Sequence, residues 1–256
     1  MNKKTGTVIQ IICLMIFIVC GIYLGKYFYN SYTAQNELSE LQEIVEANTP
    51  EKVAEPQAEL RAENGMLMSY YDLYAKNSDM AGWIKIPDTK INYPVMHTEG
   101  SNEEYLHKNF EKQYQYCGLP FMDYQCEGDK PSDNIIIYAH NMKDGSMFAG
   151  LSKYENRDFY DNHSEIYFDT LYERGKYEVM YVFRTKIGSE KEFKYYEFIN
   201  AGSVEEFDEF IKTAQSLSIF GNQKSAEYGD KLLTLSTCSY NTSNERLVVI
   251  AKKIKQ

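Results

Sequence analysis

Residues 231–238 read KLLTLSTC and, after the polar SYNTSNE, residues 246–254 read RLVVIAKKI. Both runs are short, apolar and rich in β-branched residues, and polar turn formers bound them, as for strands of a sheet core. Working back along the chain, runs of the same kind recur after Asn77: WIKI (83–86), INYPV (91–95), GLPFM (118–122), NIIIYAH (134–140), KYEVMYVF (176–183) and KYYEFI (194–199). That makes eight expected strands, with one strong helical pattern among them at 204–217. The class this implies is mainly β: a closed or nearly closed eight-stranded barrel with helical insertions. Residues 77–256 suffice for a sizeable core of this kind.

Upstream of the strands the pattern changes. Residues 8–24 read VIQIICLMIFIVCGIYL; with Thr7 and Gly25 this makes 19 residues. At about 1.5 Å per residue the run approaches the ~30 Å hydrocarbon core of a bilayer. A cleaved signal peptide has a shorter apolar run followed by small residues, whereas here the bulky GKYFYNSY follows, so an uncleaved anchor is expected. Lys3 and Lys4 on one flank, against Lys26 on the other, put the N-terminus in the cytoplasm and the rest outside the cell membrane. Residues 34–47 (AQNELSELQEIVEA) form a helix pattern, with Leu38, Leu41 and Val45 on one stripe and Glu37, Glu40, Glu43 and Glu46 fanned around a solvated side. A linker follows, and 58–76 is again helical in pattern. The expected organisation is a cytoplasmic tail (1–6), a single transmembrane anchor (7–25), a helical stalk and N-terminal helices (26–76) and one catalytic domain (77–256).

Charge and cysteine content exclude several functions. Only 3 of the 27 basic residues and none of the 37 acidic ones lie in the first 26 positions, so the remainder carries 24 basic residues against 37 acidic. Such a surface repels phosphate backbones, and no nucleic-acid partner is expected. Five cysteines without a CxxC fit neither a zinc ribbon nor a fully paired disulfide framework. Cys117 and Cys126 flank an expected strand end; two unpaired thiols are the default reading, and a disulfide between them is geometrically open. His97 and His107 lack neighbouring ligands for a metal, so neither metal nor cofactor is expected.

GxSxG, HExxH, GxxxxGK[ST] and GxGxxG are all absent. Position singles out the remaining candidates. Cys238 ends an apolar strand, where a thiol can be both exposed and rigidly held. His140 ends NIIIYAH and opens the loop NMKDGS; Arg246 starts the last strand. Three strand ends can converge on one face of a barrel. Taken singly, each residue also has a plain structural reading: an inert buried thiol, a surface histidine, a solvated arginine.

Together, TLSTC (234–238), the following Arg246 and YAHNMKDGSMF (138–148) resemble a sortase, and specifically the class B subfamily. The resemblance extends to NSDMAGWIKIPDTKINYPVM (77–96), SNEEYLHKNF (101–110), GLPFMDYQC (118–126) and the closing RLVVIAKKI. It implies a sortase-type β-barrel behind the anchored helical extension, and a cysteine transpeptidase that fixes secreted proteins to the cell wall. It further implies Cys238 as nucleophile, His140 as general acid and base, and Arg246 as stabiliser of the oxyanion. Asn102, Leu106, Ser236 and Phe193 would line the groove for a sorting signal of NPxTx or SPxTG type, with 189–196 as a groove wall. The implied partners are secreted proteins bearing that signal and a lipid-linked peptidoglycan amine. Ala139 stands where glycine is commoner, and Ser239 where an acidic residue is often found; both bear on substrate preference. Two other readings stay open: a membrane-anchored cysteine peptidase using the same Cys238 and His140, and a non-catalytic surface or pilus-associated module. Against the module, IAKKIKQ carries neither a sorting motif nor a second apolar span.

Overall fold

The computed structural model of the protein describes residues 3–49, 60–126, 132–188, 192–221, 224–238 and 244–255, the side chains of 3–8 and 238 excepted. Two compact units divide the chain, Met1–Glu40 and Leu41–Gln256. One helix, α1 (Lys3–Ala47), runs through the whole apolar segment and the glutamate-rich pattern beyond it. It is long and apolar enough to cross a membrane. Its last turns, which belong to the second unit, are not the solvated stalk expected from their glutamates. Leu41 is buried there, and Gln42 Nε2 donates to the Asn92 carbonyl at 2.7 Å.

The second unit is built on eight strands: β1 (Met80–Lys85), β2 (Asn92–Met96), β3 (Phe121–Met122), β4 (Asn134–Ala139), β5 (Glu165–Thr170), β6 (Lys176–Lys186), β7 (Leu232–Cys238) and β8 (Glu245–Lys253). They close into a barrel in the order β1-β2-β3-β4-β7-β8-β6-β5. Closure removes the free edges that a sheet of this size would otherwise expose. The β4–β7 and β2–β3 pairs are parallel and the other six are antiparallel.

Two expected elements differ. KYYEFI (194–199) is not a strand: Tyr195–Glu197 is a 3-10 turn, and Tyr195, Phe198 and Ile199 are buried. Their i, i+3, i+4 spacing suits one helical turn laid on a core better than an alternating strand. The eighth strand is instead β5, whose EIYFDT hides only Ile166 and Phe168 between polar and acidic neighbours. Similarly, helix α2 covers Met68–Lys76 alone. Before it, Arg61 and Leu67 pair across a turn in which Gly65 adopts φ +82°, a conformation glycine accepts without strain.

Helix α3 (Arg157–Asn162) precedes β5, and α4 (Val204–Leu217) lies in the crossover between β6 and β7. The Ser203 side chain caps α4 by accepting from the Glu206 amide, and Glu206 Oε2 accepts from the Gly202 amide. Its buried stripe, Phe207, Phe210, Ile211 and Ala214, packs with Tyr195, Phe198, Phe183, Leu232, Val248 and Ile250. This core covers one face of β6, β7 and β8.

Candidate active site

Strand register gathers the three candidates. In the parallel β4–β7 ladder Ala139 pairs with Thr237, so His140 follows one step beyond, level with Cys238. In the antiparallel β7–β8 ladder Cys238 pairs directly with Arg246. Neighbouring strands lie about 4.8 Å apart, so the three positions occupy the ends of three adjacent strands. Alternation puts 246 on the face of Val248, and 140 on that of Tyr138. Thr237 Oγ1 donates to the Ala139 carbonyl at 2.7 Å and ties β7 to β4 just beneath.

The imidazole of His140 is held from outside the barrel wall. Its Nε2 lies 2.9 Å from the Leu106 carbonyl oxygen. A carbonyl only accepts, so Nε2 carries the hydrogen and Nδ1 is left as the nitrogen able to take a proton. The ring of His107 stacks on His140 with centroids 5.2 Å apart. Burial, first, and the neighbouring His107 charge hold the His140 pKa below the ordinary imidazole value, and the Leu106 carbonyl opposes both. The neutral form of the ring is thereby favoured. Gly118 supports the arrangement from behind. Its φ is +55°, and a Cβ there would lie 2.3 Å from the Leu106 oxygen and 2.4 Å from that of Tyr105. Only glycine lets the chain pass so close to the carbonyl that orients His140.

Arg246 Nη1 donates to the Glu245 carbonyl at 3.1 Å. Glu245 also accepts from Arg184, which forks onto Glu155 through Nε and Nη2, both at 2.7 Å. A guanidinium at position 246 brings several donors and a fixed charge to the end of β8, opposite the thiol position.

The four expected groove residues part company. Asn102 is fixed at both ends of its amide: Nδ2 donates to Asp123 Oδ2 at 2.9 Å, and Oδ1 accepts from the Tyr124 amide at 2.7 Å. Leu106 is half-buried, and its carbonyl is the one that holds His140. Ser236 is buried and its hydroxyl bonds Tyr195 Oη at 2.6 Å. Phe193 packs on Phe183 and Phe210 at 5.9 and 5.3 Å, in the α4 core. Ser239 and residues 189–191 of the expected groove wall lie outside the described residues. Cys117 and Cys126 are buried; Cys117 Sγ donates to Gln115 Oε1 at 3.4 Å and Cys126 Sγ to the Asn134 carbonyl at 3.6 Å, and burial pushes the pKa of Cys126 up to about 12. Among the described residues no three His, Cys, Asp or Glu side chains are grouped to hold a metal. Sequence reasoning missed Gly118, His107, Asp123 and Tyr138. A glycine before LPFMD was a visible signal; a carbonyl's role leaves none.

A sortase-domain family model matches residues 84–254. The chain belongs to the sortase family. Sortase B of Staphylococcus aureus is 28% identical over 255 residues, covering 99% of this chain and 98% of that one. Sortase B of Listeria monocytogenes is 29% identical, over 97% of this chain and 96% of its own. Among solved structures, sortase B of Bacillus anthracis in complex with AAEK1 superposes with a TM-score of 0.75 at 32% identity, covering 90% of this chain and all of that one. A Staphylococcus aureus sortase B–substrate complex gives 0.75 at 27% identity, over 88% and 98%. This chain is thus a class B sortase, and sortases are cysteine transpeptidases, consistent with a role in cell-wall anchoring.

Proposed function

We propose that this sortase cuts a C-terminal sorting signal of NPxTx or SPxTG type after its threonine and transfers the protein to a peptidoglycan amine. The observation that carries the reading is the register placing Cys238 level with His140 on one side and paired with Arg246 on the other. The Cys238 thiol gives its proton to neutral His140 at Nδ1, and the thiolate attacks the threonine carbonyl carbon. As the carbonyl oxygen gains charge, Arg246 donates to it. The C–N bond breaks, His140 returns the proton to the departing amine, and a thioester remains. The acceptor amine then attacks that carbonyl carbon and His140 takes its proton; the C–S bond breaks, and His140 passes the proton to the departing sulfur, regenerating the thiol and the neutral ring.

Helix α1 supports a single-pass anchor with the N-terminus in the cytoplasm and the barrel outside, from the lysine flanks of its apolar run. Tethering concentrates the enzyme where a secreted client and a lipid-linked wall precursor both arrive. The test is a library of NPxTx and SPxTG peptides incubated with the full-length protein in detergent, with and without an added amine. Cleavage with amine-dependent ligated product is expected. Release unaffected by amine, with no ligated product, overturns transpeptidation in favour of hydrolysis.

A further inference from the structure

We infer that Asp123 is a positioning residue of the sorting-signal groove, one that fixes Asn102 so that it offers the peptide an N–H donor and no acceptor. The inference rests on the proposed reading of this wall as the groove.

Asp123 is a buried carboxylate at the end of β3, 2% exposed. Oδ2 accepts from Asn102 Nδ2 and from Tyr138 Oη, each at 2.9 Å, and Oδ1 accepts from the Gln125 amide at 3.0 Å. None of these donors is charged. Tyr138 stands on β4 two residues before His140 and pairs with Ser236, itself two before Cys238. The carboxylate therefore binds the wall directly below the reacting positions to the segment 101–106. That segment reaches the site again four residues on, where the Leu106 carbonyl meets His140.

Asp123 can only accept, and the Tyr124 amide can only donate, so the orientation of the Asn102 amide is chemically determined. Its oxygen is taken by Tyr124 and one N–H by Asp123, which leaves Nδ2 with its second N–H for a peptide oxygen. Asn102 thus selects an acceptor in the signal, a carbonyl or side-chain oxygen. Such polar discrimination is strong when a mismatch leaves a desolvated group unpaired. Asp123 touches no peptide; it acts through Asn102 and Tyr138.

The experiment separates positioning from mere stability by exchanging the two groups. In Asp123→Asn an amide that keeps its oxygen on the Gln125 N–H turns its own N–H groups toward Asn102 Nδ2 and Tyr138, so Asn102 keeps its oxygen on the Tyr124 amide but loses the acceptor that anchors Nδ2. KM for the best-cleaved library peptide is expected to rise about tenfold or more, with kcat changed far less. The double variant Asn102→Asp/Asp123→Asn swaps amide and carboxylate and leaves net charge unchanged. Its amide, now at position 123, donates to the carboxylate at position 102 and to Tyr138 Oη, while the Tyr124 and Gln125 amides keep acceptors. The melting temperature is expected to recover while KM stays raised, because the groove now presents a carboxylate oxygen where the N–H was. A wild-type KM in Asp123→Asn, or recovery of KM together with stability in the double variant, overturns the inference alone. A wild-type protein that cleaves no library peptide overturns the groove reading and this inference with it.

Discussion

Along β4, β7 and β8 the candidate residues are placed by strand register, whereas along 101–118 they are placed by single backbone atoms. In the first region a whole ladder of hydrogen bonds, from Asn134↔Leu232 to Cys238↔Arg246, sets where the thiol, imidazole and guanidinium positions fall. In the second, one carbonyl at Leu106 orients His140, and one glycine at 118 leaves room for that carbonyl. A ladder distributes any perturbation over many bonds; a single contact does not. The register wall should therefore be tolerant of backbone changes and intolerant of changes in its reacting groups. The loop should show the reverse.

The largest effects are expected on the wall. Cys238→Ala and His140→Ala should each lower peptide cleavage by about 10⁴-fold or more while leaving the fold and melting temperature nearly unchanged. A Cys238→Ala protein that still displays client proteins on the cell surface would support a non-catalytic module instead. Arg246→Lys keeps the charge and loses the fork of donors, and should cost roughly 10²–10³-fold in kcat. Normal turnover there would remove Arg246 from the oxyanion role.

Gly118→Ala comes next and tests the loop. A methyl group would press on the Leu106 and Tyr105 oxygens at 2.3 and 2.4 Å, so the carbonyl must move and His140 with it. We expect kcat to fall by about tenfold or more, in excess of any loss of stability. Gly229→Ala is the control: φ is +94° but no atom lies within 4 Å of its Cβ, so it should cost about 1 kcal/mol in stability and nothing in turnover. Equal activity losses in the two would mean that Gly118 matters only for its backbone conformation.

The same contrast explains what the sequence disclosed. Apolar runs such as NIIIYAH and KLLTLSTC announce strands, and the candidate residues stand at the ends of those strands, so their grouping by register was legible. The strand count came out at eight only because two misreadings offset each other. KYYEFI has strand-like composition, yet it is a turn whose aromatics serve the α4 core; EIYFDT is a strand whose acids mask it. Phe193 packs partly buried on Phe183 and Phe210, a placement that aromatic content alone does not reveal. Parallel pairing of β4 with β7 also leaves no local trace, since the chain between them includes two strands and α4. The loop was opaque for a different reason: Leu106 contributes to the orientation of His140 through an atom that every residue possesses.

The smallest effect belongs to the contact between the two regions, the His107–His140 stack. Because the pKa of His140 lies below the ordinary imidazole value, its neutral form is the one favoured by the folded site. Folding stability that depends on this group is present above the ordinary value and declines as pH falls through it, since the unfolded chain then binds the extra proton. Replacing the neighbouring ring with the neutral amide of His107→Gln should raise the His140 midpoint, followed by NMR of the labelled imidazole in the full-length protein; the fixed cation of His107→Lys should lower it further. The local field includes more than His107: the Glu104–Lys108 pair is on the same segment, Lys143 and Asp144 follow His140, and Arg246 lies across β7. Since none of these changes in either variant, a shift in opposite directions isolates the stacked ring. Because neutral His140 must accept the Cys238 proton in the free enzyme, the acid limb of kcat/KM should move upward in His107→Gln along with the NMR midpoint. A midpoint that moves while the limb stays fixed would assign that limb to a group other than His140.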